Sequence, residues 1–182
     1  TLTTIVGGSG TEGFRGDGGP ANEARIHEPR ALAVDGDGNL YIADTGNNRI
    51  RMVTPDGVIT TVAGNGTPNA APDGSQAGES GLDQPAGLAV GPDGSLFVTE
   101  YNPGRIRRID LASGEITTVV GDPASYTTGP AVDGGPARRA TLHNPGHLAF
   151  DGDGNLFVVD QGNRRVRRIA GAEPDGIITT VA

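Results

Sequence analysis

The sequence predicts an all-β fold of the β-propeller class, and three observations predict it. Residues 29–64 carry four short apolar or β-branched runs, each bounded by glycine-rich turn chemistry. The same block returns from Pro85 and from Pro145, at intervals of 56 and 60 residues (85 − 29 and 145 − 85). Each block closes on nearly one string: I-T-T-V-A-G, I-T-T-V-V-G or I-T-T-V-A. A period of this size built from four strands marks a propeller blade, which must stack on neighbours to bury its two faces.

Taken in order, residues 1–7 (T-L-T-T-I-V-G) match the closing string, so they are expected to form the outermost strand of a preceding blade. That strand is surplus here, because the last block already owns its fourth strand. Residues 8–28 form a long connection. Blade 1 then occupies residues 29–64, with strands expected at 31–34, 40–43, 49–53 and 58–63. The pairs Asp37-Gly38, Gly46-Asn47 and Asp56-Gly57 separate them, since tight two-residue hairpin turns need the positive φ that Gly and Asn accept. After a second connection (65–84) comes blade 2 (85–121); after a third (122–144) comes blade 3 (145–182). Each connection has a Gly-rich turn, a short polar–alanine stretch read as one helical turn, and an apolar anchor: Ile26, Leu82 or Leu142. Loops of this length at equivalent positions read as a built surface or as a cover over the gap between blades.

Residues 1–182 are thus a single propeller segment of three four-stranded blades, too few to close a ring. The expectation is that completing blades come from the rest of a longer chain, which the surplus first strand favours, or from a second copy arranged about the propeller axis.

Composition narrows the function classes. The 31 glycines and 13 prolines, about a quarter of the chain, recur at fixed turn positions, unlike low-complexity sequence. Aromatics are only 4%, so Val, Ile, Leu and Ala must build the core. The net charge is −8, which opposes general binding to phosphate backbones. With no cysteine, disulfides, thiolate metal sites and cysteine nucleophiles are excluded. No segment has the roughly 18 continuous apolar residues of a membrane span.

The run P-R-A-L-A-V-D-G-D-G-N-L-Y-I-A-D-T-G-N-N-R-I-R, echoed after Pro85 and Pro145, resembles the NHL repeat. The connection G-D-G-G-P-A followed by I-T-T-V-A-G resembles the variety found in bacterial secreted proteins. The resemblance covers practically the whole chain. It implies a six-bladed propeller, of which these blades are half, or one of similar blade number, with a funnel along its axis and an extracytoplasmic setting. It does not fix an activity, because the fold hosts lyases, lactonase-like enzymes, RNA binders and plain scaffolds.

Several motifs have competing readings. Asp35-Gly-Asp37-Gly-Asn39 and Asp151-Gly-Asp153-Gly-Asn155 imitate the start of a calcium loop. The twelfth position of the first holds Gly46 where a bidentate carboxylate is required, so hairpin chemistry is the expectation. Asp44, Glu100 and Asp160 end the second strands, while Arg49, Arg105 and Arg165 begin the third; each pair is expected to brace its turn. Arginines alternate with apolar residues along the third strands, which reads as solvated edge charge or, on the second alternative, as an RNA-binding stripe. His147 is the one candidate ligand for a divalent metal. A catalytic zinc needs about three protein ligands, so no cofactor is expected. Similar propeller lyases place zinc-binding histidines directly after the proline. Here those positions hold Arg30, Ala86 and Gly146.

Chain direction puts the long connections and the turns after the second strands on one face. Arg30, Tyr101, His143, His147, Gln161 and Asn163 gather there as candidate ligand-binding residues, with no catalytic constellation among them. The reading is a non-catalytic scaffold binding a protein or glycan partner. The first alternative is a metal-dependent propeller lyase or hydrolase with its site in the funnel.

Overall fold

Glycine sets where the strands stop. The computed structural model describes residues 1–8, 10–121 and 133–182. In the hairpins after each first strand, Gly38, Gly94 and Gly154 take φ of 84°, 81° and 80°, which a Cβ would oppose. The Asp35 carboxylate accepts the backbone N–H groups of Asp37 (3.0 Å) and Asn39 (2.9 Å), the Asn39 side-chain amide (2.9 Å) and the Tyr41 hydroxyl (2.9 Å). Asp151 is bound in the same way by Asp153 and Asn155. These carboxylates are thus committed to holding their own turns.

The first sheet contains β1 (Gly19–Pro20), β2 (Pro29–Val34), β3 (Leu40–Asp44), β4 (Arg49–Val53) and β5 (Val58–Ala63), in the order β1-β5-β4-β3-β2. The second contains β6 (Ser75–Gln76), β7 (Pro85–Val90), β8 (Leu96–Glu100), β9 (Arg105–Ile109) and β10 (Glu115–Val120), in the order β6-β10-β9-β8-β7. The third is the meander β11 (Pro145–Phe150), β12 (Leu156–Asp160), β13 (Arg165–Ile169) and β14 (Ile178–Thr180). Every described pairing is antiparallel. The innermost strands β2, β7 and β11 pack side by side, so the sheets are consecutive sectors of a partial β-propeller.

Apolar cores lie between the blades, as stacking requires. Tyr41, Ala43, Ile50 and Ala63 of blade 1 meet Leu88, Leu96, Val98 and Ile109 of blade 2. Phe97, Ile106 and Val120 of blade 2 meet Leu156, Val158 and Ile169 of blade 3, with Phe97 edge-on to Phe150 at 5.0 Å. The outer flank of blade 1 has no blade against it, and the contrast is direct: Leu32 is 64% exposed, whereas Leu88, its blade 2 counterpart, is 6% exposed.

Residues 1–7, expected to pair with a blade other than these three, form no strand within the described residues. Two features differ from the sequence expectation. The turn expected at Gly46-Asn47 is a 3₁₀ turn, Thr45–Asn47, closed by Asn48 in the left-handed region (φ 51°); Gln161–Asn163 and Arg164 (φ 55°) repeat it. The arginine stripe is a solvated edge only in part: Arg165 is exposed and Arg49, Arg108 and Arg168 are half-buried, but at least one arginine of each blade lies inside. Arg51, Arg107 and Arg167 are among the largest fully buried side chains in the protein.

Burying a guanidinium requires charge compensation and hydrogen bonds. Each buried arginine obtains both from the connection that precedes its own blade, 34 residues earlier. Arg51 donates to Asp17 at 2.6 and 3.1 Å, Arg107 to Asp73 at 3.4 Å, and Arg167 to Asp133 at 2.8 Å. The outer strand completes the clamp: the hydroxyls of Thr61, Thr118 and Thr180 donate to the same aspartates at 2.7, 2.9 and 3.1 Å. The connection therefore runs along the outer edge of the next blade, where β1 pairs with β5 and β6 with β10. Of the third connection, residues 122–132 lie outside the described residues; Pro136 bridges Ile177 in the corresponding place.

Candidate functional site

The carboxylates ending the second strands position the loop face. Backbone N–H groups of His27, Asp83 and His143 donate to Asp44 (2.7 Å), Glu100 (2.8 Å) and Asp160 (2.8 Å). Each of these residues lies two before the proline that opens a blade, so one contact anchors the end of every connection.

The carboxylate–arginine pair expected across each turn is present in blade 2 and is replaced by other contacts in blade 1. In blade 2, Arg105 Nη2 donates to Glu100 Oε1 at 3.0 Å and its Nε to Oε2. In blade 1, Asp44 instead lies 3.4 Å from Arg51 Nη1 and accepts the Asn47 amide at 2.9 Å. Arg49 donates to the carbonyls of Asn47 (3.0 Å) and Asn65 (2.9 Å) and lies 3.8 Å from the Phe14 ring. In blade 3, Asp160 lies 3.6 Å from Arg167 Nη1 and accepts the Asn163 amide at 2.9 Å, while Arg165 stands exposed at the start of β13. Glutamate is one methylene longer than aspartate, which lets Glu100 reach Arg105 while lying 3.8 Å from Arg107.

Blade 2 departs from its neighbours in the turn after β8, and a cleft opens there. It measures about 320 Å³ and is lined by Asp83, Tyr101, Asn102, Pro103, Gly104, Leu142, His143 and Asn144. The Tyr101 N–H donates to the Gln84 carbonyl at 3.1 Å, and the Arg30 guanidinium lies 5.6 Å from the Tyr101 ring centroid. Gly104 abuts the Leu142 carbonyl so closely that a Cβ would fall 2.1 Å from it.

Of the candidate residues, Arg30, Tyr101 and His143 come together here, Arg30 through its contact with the Tyr101 ring. Gln161 lies over Gly146, next to exposed His147 on β11, outside the cleft lining. Asn163 is turned to Asp160 and supports the brace. Among the described residues, no three His, Asp or Glu side chains form a group that could hold a metal. Asp83 was not singled out from sequence. Aligning the blades at their prolines would have found it, since His27, Asp83 and His143 share one position. Burial, reinforced by the charge of Glu100, raises the Asp83 carboxyl above its ordinary value, against a smaller opposing pull from Arg105.

Sequence comparison matches residues 9–72 and 80–170 to the family described as Teneurin NHL domain. This chain belongs to that family. Teneurin-m of Drosophila melanogaster is 32% identical to this NHL chain over 181 residues, covering 95% of the chain and 6% of Teneurin-m. Teneurin-1 of Mus musculus is 29% identical over 177 residues, covering 92% of the chain and 6% of the relative. The chain thus spans a small fraction of these proteins' length. Among solved structures, a Bacteroides thetaiotaomicron protein of unknown function aligns with a TM-score of 0.68 at 24% identity, covering 97% of this chain and 39% of that one. Virginiamycin B lyase of Staphylococcus aureus aligns at 0.54 and 22% identity, covering 84% and 40%. A gluconolactonase of Xanthomonas campestris aligns at 0.58 and 18%, covering 86% and 48%. Likeness at these identities shows the fold alone. Among the described residues no helix is long and apolar enough to cross a membrane.

Proposed function

We propose that this NHL segment is a non-catalytic binding module that engages a protein or glycan partner through the loop face, in an extracytoplasmic setting. The observation that carries this reading is how variation is distributed among the blades. The aspartate–arginine–threonine clamp recurs in all three, whereas the Tyr101–Gly104 turn and its cleft occur between blades 2 and 3. Recurrence suits a structural role; a cleft built from a turn that departs from its counterparts, with an amphipathic aromatic on its wall, suits recognition. Kinship with the teneurins supports the extracytoplasmic setting. Completing blades, from a longer chain or a second copy, are part of the same proposal, supported by the uncovered flank at Leu32 and Val34.

The test compares the protein with Tyr101→Ala and Asp37→Ala variants on a glycan array and on a panel of extracellular protein domains. Tyr101→Ala should weaken binding roughly tenfold or more, as truncating an interface aromatic does, and Asp37→Ala on the opposite hairpin face should not. The reverse pattern rejects the loop face.

A further inference from the structure

We propose that the cleft beside Tyr101 receives one guanidinium side chain of a partner polypeptide. This rests on the loop-face reading and selects protein from its two partner classes.

Ion pairing at the loop-face end of β8 and β9 is the first reason. Glu100 engages both Arg105 and Arg107, and Asp73 also engages Arg107. Among the described residues Asp83 forms no ion pair, although Arg105 lies near enough to pull weakly on its carboxyl. Among the described residues none donates a hydrogen bond to the Asp83 carboxylate, although it is half-buried and lines the cleft. Burial without a partner disfavours the ion, and an incoming cation relieves that cost. The equivalent positions differ: His27 is paired with Glu12 at 3.1 Å, and the third is His143.

The walls fit the same cargo. Tyr101 already attracts a guanidinium to its ring, that of Arg30 at 5.6 Å. A planar cation can satisfy the carboxylate with two N–H donors, which an ammonium does not match. At about 320 Å³ the cleft lies near the lower end of the roughly 300–1,000 Å³ typical of ligand pockets, room for one side chain. Backbone contacts at Gln84 and Leu142 hold its shape without a ligand. The other titratable or charged groups facing the position are His143 and Arg30. The chain's net charge of −8 favours approach of a basic partner.

The experiment is a titration of ¹⁵N-labelled protein with acetyl-Gly-Arg-Gly-amide and with the same peptide carrying citrulline, the neutral isostere. The expected result is amide shifts centred on Asp83, Tyr101 and His143 with the arginine peptide. Binding should be at least tenfold weaker with the citrulline peptide. The Asp83→Asn variant should lose the arginine response while the rest of its spectrum is retained. An equal response to both peptides, shifts centred elsewhere, or undiminished binding by Asp83→Asn overturns the proposal; the citrulline arm needs no variant. Should the arginine peptide fail while Tyr101→Ala still abolishes partner binding, the guanidinium assignment falls and the loop-face reading stands. Should Tyr101→Ala also have no effect, both fall.

Discussion

Arg51 and Asp17, 34 residues apart in the chain, meet at 2.6 Å on the inner side of the first connection. The arginine side chain is fully buried, while the aspartate side chain is 37% exposed. Water therefore reaches one end of the pair and not the other, which makes the aspartate the removable half.

Asp17→Ala should destabilise the protein by about 2–3 kcal/mol in urea denaturation. That is below the roughly 3–5 kcal/mol of a fully buried pair, because Asp17 is partly solvated and Asp44 still faces the guanidinium. Adding Arg51→Met should recover much of the loss, since an apolar side chain of similar length leaves no uncompensated charge. A double variant no more stable than the single one would show that the clamp works by packing, without a charge contribution.

The spacing between blades 2 and 3 depends on Thr99. Its hydroxyl accepts the Gly87 N–H at 2.7 Å and donates to the Gly146 carbonyl at 3.0 Å, joining the two inner strands. A Cβ on Gly87 would stand 2.2 Å from that carbonyl oxygen, inside any permitted contact. Thr99→Val should cost about 1–3 kcal/mol through two unsatisfied backbone groups. Gly87→Ala should cost at least as much, by forcing the strands apart. Thermal melts check both, and a neutral Gly87→Ala would mean that the inner strands have slack.

Asp83 gives a pH-dependent signature of the opposite sense to an ion-paired carboxylate. Its folded-state pKa is raised above the ordinary 3.8, chiefly by burial and then by Glu100. The folded protein therefore holds that proton more tightly than the unfolded chain does. Stability falls as pH rises from 3.8 through the raised folded value, so the ionised group is a burden at neutral pH. Asp83→Asn should be more stable than the parent at pH 7, and the advantage should vanish below pH 3.8. Urea midpoints at pH 7 and pH 3 measure this, and a variant less stable at pH 7 contradicts it.

The strands and their order were legible because turn glycines and β-branched runs act locally, and Leu40–Asp44 or Arg49–Val53 fall within a residue of where the pattern put them. The arginines were misread because alternation tells which residues share a face but not what covers that face. Arg51 and Arg49 look alike in sequence; one is buried against Asp17, and the other lies against Phe14 and backbone carbonyls. Asp17 could not be paired with Arg51 from local pattern alone, since the contact crosses a whole connection. In the cleft, Tyr101 stood out by its size, whereas Asp83 did not, because its significance comes from partners it lacks.

The belt that each connection draws along the following sheet also fixes the smallest piece of this chain that can be excised with its charges balanced. A fragment opening at Pro85 and closing at residue 121 would leave Asp73 behind and strand the Arg107 guanidinium without it. A fragment that opens upstream of Asp73 and closes after Thr118 carries aspartate, arginine and threonine together. A blade and the connection before it are therefore one electrostatic unit, although the sheet alone looks like the natural module.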